Sequence, residues 1–251
     1  MQLKNKTFCI ITLGCKVNLF ESNNFINQMN NRGCRQTNEV TEADICIINT
    51  CCVTNKAASK SRYFINRAIR SDKTKLVVIV GCLSQLEPHL IKDPKVGIIL
   101  GSKHKDQLVD LIKQYHGTPI TKVSSFDKQD KFENLGLQLF TNNTRAFLKI
   151  QDGCDYMCTY CIIPFVRGRQ RSLPHVEVLN HIHELVKKGY HEIVLTGVNT
   201  AGYRDGPSYD FYQLLKDINE IKGNFRVRIS SIEPFQINHQ IIDLLAPHPA
   251  R

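Results

Sequence analysis

Hydrophobic and polar positions alternate in the first part of the chain between short apolar runs and segments with helical spacing. The apolar runs have the length and β-branched content of strands. They are TFCIITLG, ADICIINT, KLVVIVG and VGIILG, beginning at residues 7, 43, 75 and 96. A segment with helical spacing follows each of them. This alternation over residues 1–116 predicts an open, mostly parallel α/β sheet.

The pattern is interrupted over residues 117–143, which are polar, mixed in charge and without clear periodicity, and which we interpret as a linker. Alternation resumes over residues 144–251. The predicted strands there are RAFLKIQDG, HEIVLTG and FRVRISSI, and the predicted helices are HVEVLNHIHELVKKG and DFYQLLKDINEIKG. Repeated β/α units of this length indicate a TIM-like barrel or partial barrel, with functional loops at the C-terminal ends of the strands.

The chain ends after three such units. Three parallel strands cannot close a barrel, and the last strand is expected to expose a hydrophobic edge. We therefore hypothesise that the second domain is incomplete, and that the chain is a fragment or an incomplete gene product whose own activity is uncertain.

Composition limits the function classes. With 251 residues and 42% hydrophobic content, the chain can bury a core without disulfides. Its 33 Lys and Arg against 23 Asp and Glu give a net charge of +10, which favours a polyanionic partner such as nucleic acid, although charge alone is weak support. No apolar run approaches the roughly 18 residues of a membrane span, so no membrane partner is predicted.

Ten cysteines are too many for packing alone, and too few and too unevenly spread for a small secreted disulfide scaffold. They indicate intracellular thiolates that bind metal, and we expect a cytoplasmic protein.

Cys154, Cys158 and Cys161 follow a predicted strand directly and precede a helix-like segment. Clustered soft thiolates select zinc or an iron–sulfur cluster. A [4Fe–4S] cluster normally takes four cysteines, so three leave one iron open to a small molecule. A zinc knuckle is the weaker alternative because the first histidine downstream, His175, lies beyond PFVRGRQRSLP. Burial as ordinary core is weaker still.

Three further cysteines, Cys15, Cys51 and Cys82, each stand just past the end of a predicted parallel strand. Open α/β sheets bind ligands at that edge, so the three can converge on a second cluster. The alternative is that each is a small buried hydrophobic residue. Cys52 adjoins Cys51 and is an alternative ligand. The other cysteines have the ordinary interpretation of strand or turn residues: Cys9, Cys34 and Cys46.

The C-x3-C-x2-C spacing, with an aromatic residue before the last cysteine, resembles that of radical S-adenosylmethionine (SAM) enzymes. With both triplets in view, nearly the whole chain resembles the tRNA and ribosomal methylthiotransferases. TLGCKVN and VTNKA are most similar to the branch that acts on N6-threonylcarbamoyladenosine in tRNA. The motifs that carry the resemblance are TLGCKVN, NTCCVTNKAASKSR, GCLSQ, GCDYMCTYCIIPFVRGRQRS, LTGVNTAGY and RISSIEP.

The resemblance implies two [4Fe–4S] clusters and no catalytic residue beyond their ligands. Cys154, Cys158 and Cys161 would hold the cluster that cleaves SAM. An auxiliary cluster carrying the sulfur would be held by the other triplet, Cys15, Cys51 and Cys82. In the family, one SAM methylates this sulfur and a second generates the radical that removes hydrogen from C2 of adenine. The product is a 2-methylthio base at position 37 of the anticodon loop.

The resemblance also implies which residues would contact SAM. Tyr160 would lie near its adenine. Its ribose and methionine would be lined by Gly197 and Asn199 of GVN and by Ser231 and Glu233 of SIEP. The ordinary alternatives are a strand-to-loop turn for GVN and a surface carboxylate for Glu233.

Basic residues are candidate RNA contacts. Arg167, Arg169 and Arg171 follow the cysteine loop, where phosphate contacts could position an RNA, although a solvated loop is the ordinary alternative. A further set, which also suits the solvent face of a helix, could extend this track: Lys56, Lys60, Arg62, Arg67 and Arg70. The expected partners are the tRNA anticodon loop, an electron donor such as flavodoxin or ferredoxin, and a sulfur donor.

Three rival functions remain open. One is the same chemistry on N6-isopentenyladenosine in tRNA or on an aspartate of a ribosomal protein. Another is a non-catalytic RNA-binding module with zinc in both triplets. A thiol redox protein is weaker because the only C-x-x-C pair, Cys158 and Cys161, belongs to a triplet.

The chain also departs from the family, whose members continue through the barrel and usually end in a small β-barrel RNA-binding domain.

Overall fold

The structure, a computed structural model, describes residues 1–90, 92–139 and 144–246, apart from the side chain of residue 90. It separates into two units. The first comprises Met1–Phe126 and Thr159–Arg167, and the second comprises Asp127–Cys158 and Gly168–Arg251.

The first unit is built on a six-stranded sheet in which every neighbouring pair is parallel, in the order β2-β1-β3-β4-β5-β6. Its strands are β1 (Thr7–Thr12), β2 (Arg35–Gln36), β3 (Ile45–Thr50), β4 (Leu76–Gly81), β5 (Val96–Leu100) and β6 (Ile120–Lys122). Its helices are α1 (Lys16–Asn31), α2 (Asn55–Arg70), α3 (Cys82–Leu86), α4 (Leu108–Gln114) and α5 (Ile163–Arg167).

Both faces of this sheet are covered, which is why its central strands are apolar along most of their length. Ile45 and Ile47 join a core layer with Phe25 of α1 and Leu108 of α4. The intervening positions of the same strand, Cys46 and Ile48, join the other layer with Ile65 and Ala68 of α2. Successive side chains of a strand point to opposite faces, so a strand covered on both sides is hydrophobic on both faces.

The second unit contains a three-stranded parallel sheet in the order β11-β10-β7 and a short antiparallel pair, β8 with β9. Its strands are β7 (Ala146–Lys149), β8 (Gln151–Asp152), β9 (Arg171–Ser172), β10 (Glu192–Thr196) and β11 (Arg226–Ile229). Its helices are α6 (His175–Lys187), α7 (Phe211–Glu220) and α8 (His239–Leu245).

The last strand differs from the expected hydrophobic edge. In β11, Arg226 and Arg228 are exposed, whereas Val227 and Ile229 are half-buried. The Arg228 Nε lies 3.0 Å from a carboxylate oxygen of Glu192. The exposed positions of this edge are therefore polar. Charged side chains on an edge strand discourage pairing with another chain.

Two further differences concern boundaries. Residues 120–122, which the sequence assigns to a linker, pair with β5 as the sixth strand of the sheet. Residues 159–167, which the sequence assigns to the second domain, group with the first unit because α5 packs on α3. The part of the predicted linker at 140–143 and the end of the chain at 247–251 lie outside the described residues. Within the described ranges, no helix is both long and apolar enough to cross a membrane.

Candidate functional site

Three predicted ligand cysteines lie at one edge of the first sheet. Strands β1, β3 and β4 are neighbours, and their registers pair Thr12 with Asn49 and Thr50 with Gly81. Cys51 and Cys82 directly follow β3 and β4, and Cys15 follows β1 by one short turn at the start of α1. The sheet therefore brings the backbones of all three cysteines to the same C-terminal edge, where open α/β sheets bind ligands.

Gly14 allows the loops of Cys15 and Cys51 to touch. Its φ is +97°, and a Cβ built on it would lie 2.8 Å from both Cβ and Sγ of Cys51. A side chain would therefore have to displace the thiol. Asn18 holds the same two loops together, since its Nδ2 donates to the carbonyl oxygens of Leu13 (2.7 Å) and Thr50 (3.0 Å).

Thr50 ties the third loop to the second. Its hydroxyl donates to the Val80 carbonyl at 2.8 Å and accepts from the Leu83 backbone N–H at 3.2 Å. Gly81 has a φ of +108°, and a Cβ there would lie 2.7 Å from the Thr50 carbonyl oxygen. The close approach fixes the start of α3, and with it Cys82, against the end of β3.

Cys51 and Cys52 differ in their surroundings. Burial raises the pKa of the Cys51 thiol, and the nearby thiols of Cys82 and Cys15 raise it further, while the Arg167 guanidinium lowers it. Burial also raises the pKa of Cys52, to about 12, with contributions from Cys82 and Cys51. Cys51 lies against Gly14 of the loop that carries Cys15, whereas Cys52 packs against the hydrophobic layer under α2. This arrangement favours Cys51 as the ligand.

Arg167 corrects one of our sequence predictions. We expected it to contact RNA, but its side chain is 1% exposed. Its guanidinium donates to Glu21 Oε1 at 2.8 Å and also to Asn18 Oδ1. Lys105 Nζ reaches the other oxygen of Glu21 at 2.7 Å. Arg167 is buried because a fully buried carboxylate, such as that of Glu21, is stable only when cations and hydrogen-bond donors surround it. Arg167 supplies one of these cations.

The other two arginines of the loop stay at the surface. Arg169 is half-exposed and lies 3.7 Å from a carboxylate oxygen of Asp155. Arg171, of intermediate exposure, donates to the Arg169 carbonyl at 2.8 Å. Both therefore remain candidates for a phosphate contact.

The loop with the second cysteine triplet is anchored at its beginning. Gly153 has a φ of +73°, and its carbonyl accepts from Gln151 Nε2 at 2.6 Å. The Cys154 backbone N–H donates to the Gly168 carbonyl at 3.1 Å, and its side chain is 9% exposed. Cys158 is exposed and Cys161 is of intermediate exposure. Cys154 and Cys158 belong to the second unit, and Cys161 belongs to the first.

Among the described residues, no three His, Cys, Asp or Glu side chains already stand in a metal-binding arrangement. The first triplet nevertheless fits a cluster by its donor set, because three soft thiols stand on loops at one edge of the sheet. Rotation about χ1 moves a thiol between staggered positions without moving its backbone.

The second unit contains a cavity of about 470 Å³ beside the loop that follows β10. The side chains that matter for its chemistry are Tyr156, Gln170, Asn199, Arg204, Phe235 and Gln236. Tyr156 and Phe235 meet edge to face, with ring centroids 5.5 Å apart. Asn199 is 6% exposed, and its Oδ1 is buried with no hydrogen-bond partner in the part of the chain that the structure describes. A buried acceptor without a donor is costly.

The residues predicted around SAM are partly brought together. Gly197 is buried, and a Cβ there would lie 2.7 Å from Gln151 Oε1, which accepts the Asn199 backbone N–H at 2.9 Å. Ser231, exposed with a φ of +56°, accepts the Thr200 N–H on its carbonyl at 2.9 Å.

Of the five residues predicted around SAM, Asn199 alone is among the described residues that line this cavity, and Tyr160, Gly197, Ser231 and Glu233 are not. Glu233 is exposed and precedes a short 3-10 helix, whereas its neighbours Phe235 and Gln236 line the cavity. Tyr160, in the first unit, is 90% exposed. The sequence did not point to Gln151, which accepts the Asn199 backbone N–H, or to Tyr156, which lines the cavity. The only signal was the position of Tyr156 inside the cysteine loop.

Two family profiles match separate parts of the chain. Residues 7–101 match the profile of the family described as "Uncharacterized protein family UPF0004", and residues 148–249 match that of the Radical SAM superfamily.

Curated relatives align over nearly the whole chain. A threonylcarbamoyladenosine tRNA methylthiotransferase of Bacillus subtilis is 40% identical over 95% of this chain and 54% of its own length. Another of that name, from Aquifex aeolicus, is 31% identical over 94% of this chain and 60% of its own length. A tRNA-2-methylthio-N(6)-dimethylallyladenosine synthase of Clostridium perfringens is 32% identical over 96% of this chain and 56% of its own length. The resemblance inferred from the sequence is confirmed, and the chain spans little more than half the length of these relatives.

A solved structure supports the fold. The radical S-adenosylmethionine methyltransferase TsrM of Kitasatospora setae, with cobalamin and a [4Fe–4S] cluster bound, aligns with 96% of this chain and 57% of its own length, at a TM-score of 0.55 and 13% identity. At that identity the likeness concerns the fold alone, and it confirms the predicted α/β class.

Proposed function

We propose that this chain, which resembles the radical SAM methylthiotransferases over nearly its whole length, acts in the 2-methylthiolation of adenosine in tRNA. The observation that carries this proposal is the convergence of Cys15, Cys51 and Cys82 at one edge of the first sheet, in a chain with a second triplet at 154–161. Two separate sets of three soft thiols match a reaction that needs both SAM cleavage and sulfur delivery.

In this proposal the two triplets have different roles. Cys154, Cys158 and Cys161 would hold one [4Fe–4S] cluster, and Cys15, Cys51 and Cys82 would hold an auxiliary one. When bound, the clusters supply one-electron reduction of SAM and a carrier for the sulfur. The thiols must be deprotonated to act as ligands, so loading would release a proton from Cys51, whose thiol pKa is raised by burial.

The cavity of the second unit suits part of SAM. Its buried Asn199 Oδ1 would accept a hydrogen bond from a ligand hydroxyl or amine. Gln151 holds the backbone of Asn199 in place at 2.9 Å. The edge-to-face pair of Tyr156 and Phe235 offers apolar faces beside these polar groups. Such a mixture of aromatic walls and few polar groups is typical of small-molecule sites.

The substrate we favour is N6-threonylcarbamoyladenosine at position 37 of the anticodon loop, modified at C2. Two of the relatives above carry that substrate in their names. An adenine in a single-stranded loop exposes C2 without melting a duplex. Turnover would need an electron donor such as flavodoxin or ferredoxin and a sulfur donor, and tRNA would place the reaction in the cytoplasm.

A second candidate substrate is dimethylallyladenosine, because the Clostridium perfringens relative is named for it. The two differ in the group on N6, so they are distinguished only by assay. A ribosomal-protein substrate and a zinc-stabilised RNA-binding module are the remaining alternatives.

The test is product formation. The anaerobically reconstituted chain is incubated with SAM, sulfide, dithionite and tRNA carrying either modified adenosine, and the digested nucleosides are analysed by mass spectrometry. We expect the 2-methylthio product from the threonylcarbamoyl tRNA, and none with Cys15→Ala or Cys158→Ala. Product only from the dimethylallyl tRNA would replace the substrate. SAM cleavage without a methylthio nucleoside from either tRNA would contradict the proposed function.

A further inference from the structure

Helix α2 concentrates positive charge. Its 16 residues contain no Asp or Glu and five cations: Lys56, Lys60, Arg62, Arg67 and Arg70. The whole chain of 251 residues carries a net charge of +10. Half of that excess therefore lies in one helix.

These cations share a face with an aromatic residue. Lys56, Lys60, Tyr63, Arg67 and Arg70 follow one another at intervals of four and three residues, so they form a single stripe along the helix. All five are exposed, and the Tyr63 side chain is 60% exposed. The opposite face carries the buried residues Ser61, Ile65 and Ala68, which pack α2 on the sheet.

Among the described residues, three of these five cations have no ion-pair partner. Arg62, beside the stripe, pairs with Glu87 at 2.5 Å, and Arg67 approaches Glu39 at 3.6 Å. In the described part of the chain, Lys56, Lys60 and Arg70 form no ion pair. Lys56 and Lys60 stand four positions apart, a spacing at which like charges destabilise a helix. A helix face serving only solubility usually mixes both signs.

The stripe fits RNA better than other anions. Cations that follow a line, with an exposed aromatic ring among them, match a phosphate backbone and an unpaired base that stacks. A membrane-binding helix would carry several large apolar residues on the face that enters the lipid, whereas this stripe has only Tyr63. An acidic protein surface would give the ring no stacking partner.

The position of α2 connects the stripe to the thiol site. The helix begins at Asn55, directly after the Cys51 loop, and the Thr54 hydroxyl caps it by accepting from the Ala57 N–H at 3.1 Å. The first cation of the stripe, Lys56, therefore lies close in the chain to the sheet edge where the three thiols converge.

We propose that the exposed face of α2 is an RNA-binding surface, in which Lys56, Lys60, Arg67 and Arg70 contact phosphates and Tyr63 stacks on an unpaired base. The choice of tRNA as the physiological RNA rests on the proposed function. The surface itself follows from the charge, exposure and spacing of α2.

The test measures binding of a fluorescein-labelled anticodon stem-loop RNA to the full chain by fluorescence anisotropy, from about 50 to 200 mM salt. The variant is Lys60→Gln with Arg70→Gln. The matched control is Lys4→Gln with Lys75→Gln, because these exposed lysines precede β1 and β4, at the opposite edge of the same sheet. Circular dichroism checks that both double variants keep the fold.

We expect the α2 variant to bind about tenfold more weakly, and its slope of log affinity against log salt to fall by about 1.4, the value for two lost contacts to single-stranded phosphates. Tyr63→Ala should weaken binding at least about fivefold with the slope unchanged, because stacking does not release counterions. The control pair should bind as the parent does.

Several results would contradict the proposal that α2 binds RNA. These are no RNA binding by the parent, equal losses in both double variants, or an α2 variant that binds RNA normally but loses binding to phosphatidylserine vesicles. The binding assay needs no cluster, so it fails independently of the proposed function. RNA binding through α2 without a methylthio product would support the RNA-binding surface and contradict the proposed enzymatic function.

Discussion

The guanidinium of Arg167 donates to the carboxylate of Glu21 at 2.8 Å, and both side chains are buried although 146 positions separate them in the chain. Arg167 also donates to Asn18, which bridges the loops that carry Cys15 and Cys51. An arginine from the segment after the second cysteine triplet is thus part of the framework under the first.

The first prediction concerns the stability of this framework. Arg167→Met should lower the free energy of unfolding by about 3 kcal/mol, because it leaves the buried Glu21 carboxylate with Lys105 but without its second cation. Arg169→Met, two positions away and half-exposed, should stay within about 0.5 kcal/mol of the parent. Urea denaturation of the three proteins provides the measurement. Equal stability of all three would contradict the role of the buried pair.

The second prediction concerns Asn18. Asn18→Ala removes the hydrogen bonds to the Leu13 and Thr50 carbonyls and should free the two loops. The buried Cys51 thiol should then react faster with iodoacetamide, as measured by peptide mass spectrometry on the metal-free chain. Asn30→Ala, at an exposed position of the same helix, serves as the control. An unchanged labelling rate at Cys51 in Asn18→Ala would show that Asn18 does not hold the loops.

The third prediction uses two glycines that share a positive φ but differ in surroundings. Gly14 has a φ of +97° and contacts Cys51, whereas Gly189 has a φ of +84° and open space around it. Gly189→Ala should cost only the backbone strain, on the order of 1 kcal/mol. Gly14→Ala should cost clearly more in thermal denaturation, and should reduce iron uptake as well, because its methyl group displaces the Cys51 thiol. Equal effects of the two substitutions would contradict the close contact.

The fourth prediction concerns acid stability. Burial acts to raise the pKa of Asp205, but hydrogen bonds from the His175 backbone and side chain outweigh it and lower the pKa. The folded state therefore favours the carboxylate. This contribution to stability is present above the unfolded pKa of about 3.9 and is lost as pH falls below it.

Asp205→Asn should consequently flatten the fall of unfolding free energy between about pH 5 and pH 3. Asp72→Asn, at an exposed position, should leave the pH profile as it is in the parent. An identical acid profile for Asp205→Asn and the parent would rule out the contribution of this pair.

Much of the fold could be predicted because its signals are local. The β-branched runs that became β1, β3, β4 and β5 are apolar along most of their length, as is typical of strands covered on both faces. Strand β2 has only two residues, both exposed, so no periodicity marks it. Strand β6 gains its partner from β5 and has too little apolar character of its own to stand out from the linker.

The parts of the candidate site that depend on the positions of residues along the chain could be predicted. The parts that depend on how side chains pack could not. Cys15, Cys51 and Cys82 were found because parallel strands end at a common edge. The interpretation of Arg167 failed because Arg-x-Arg-x-Arg suggests a solvated loop, and only the distant Glu21 explains its burial. The buried Asn199 oxygen likewise became visible only with its surroundings.

The central claim is that the chain holds two clusters on two independent triplets. It is tested most directly by iron and sulfide per chain after anaerobic reconstitution of the parent and of Cys15→Ala, Cys51→Ala, Cys52→Ala and Cys158→Ala. We predict about eight irons in the parent and in Cys52→Ala, and about four in each of the other three variants. Only four irons in the parent, unchanged by Cys15→Ala and Cys51→Ala, or zinc in place of iron, would contradict the account.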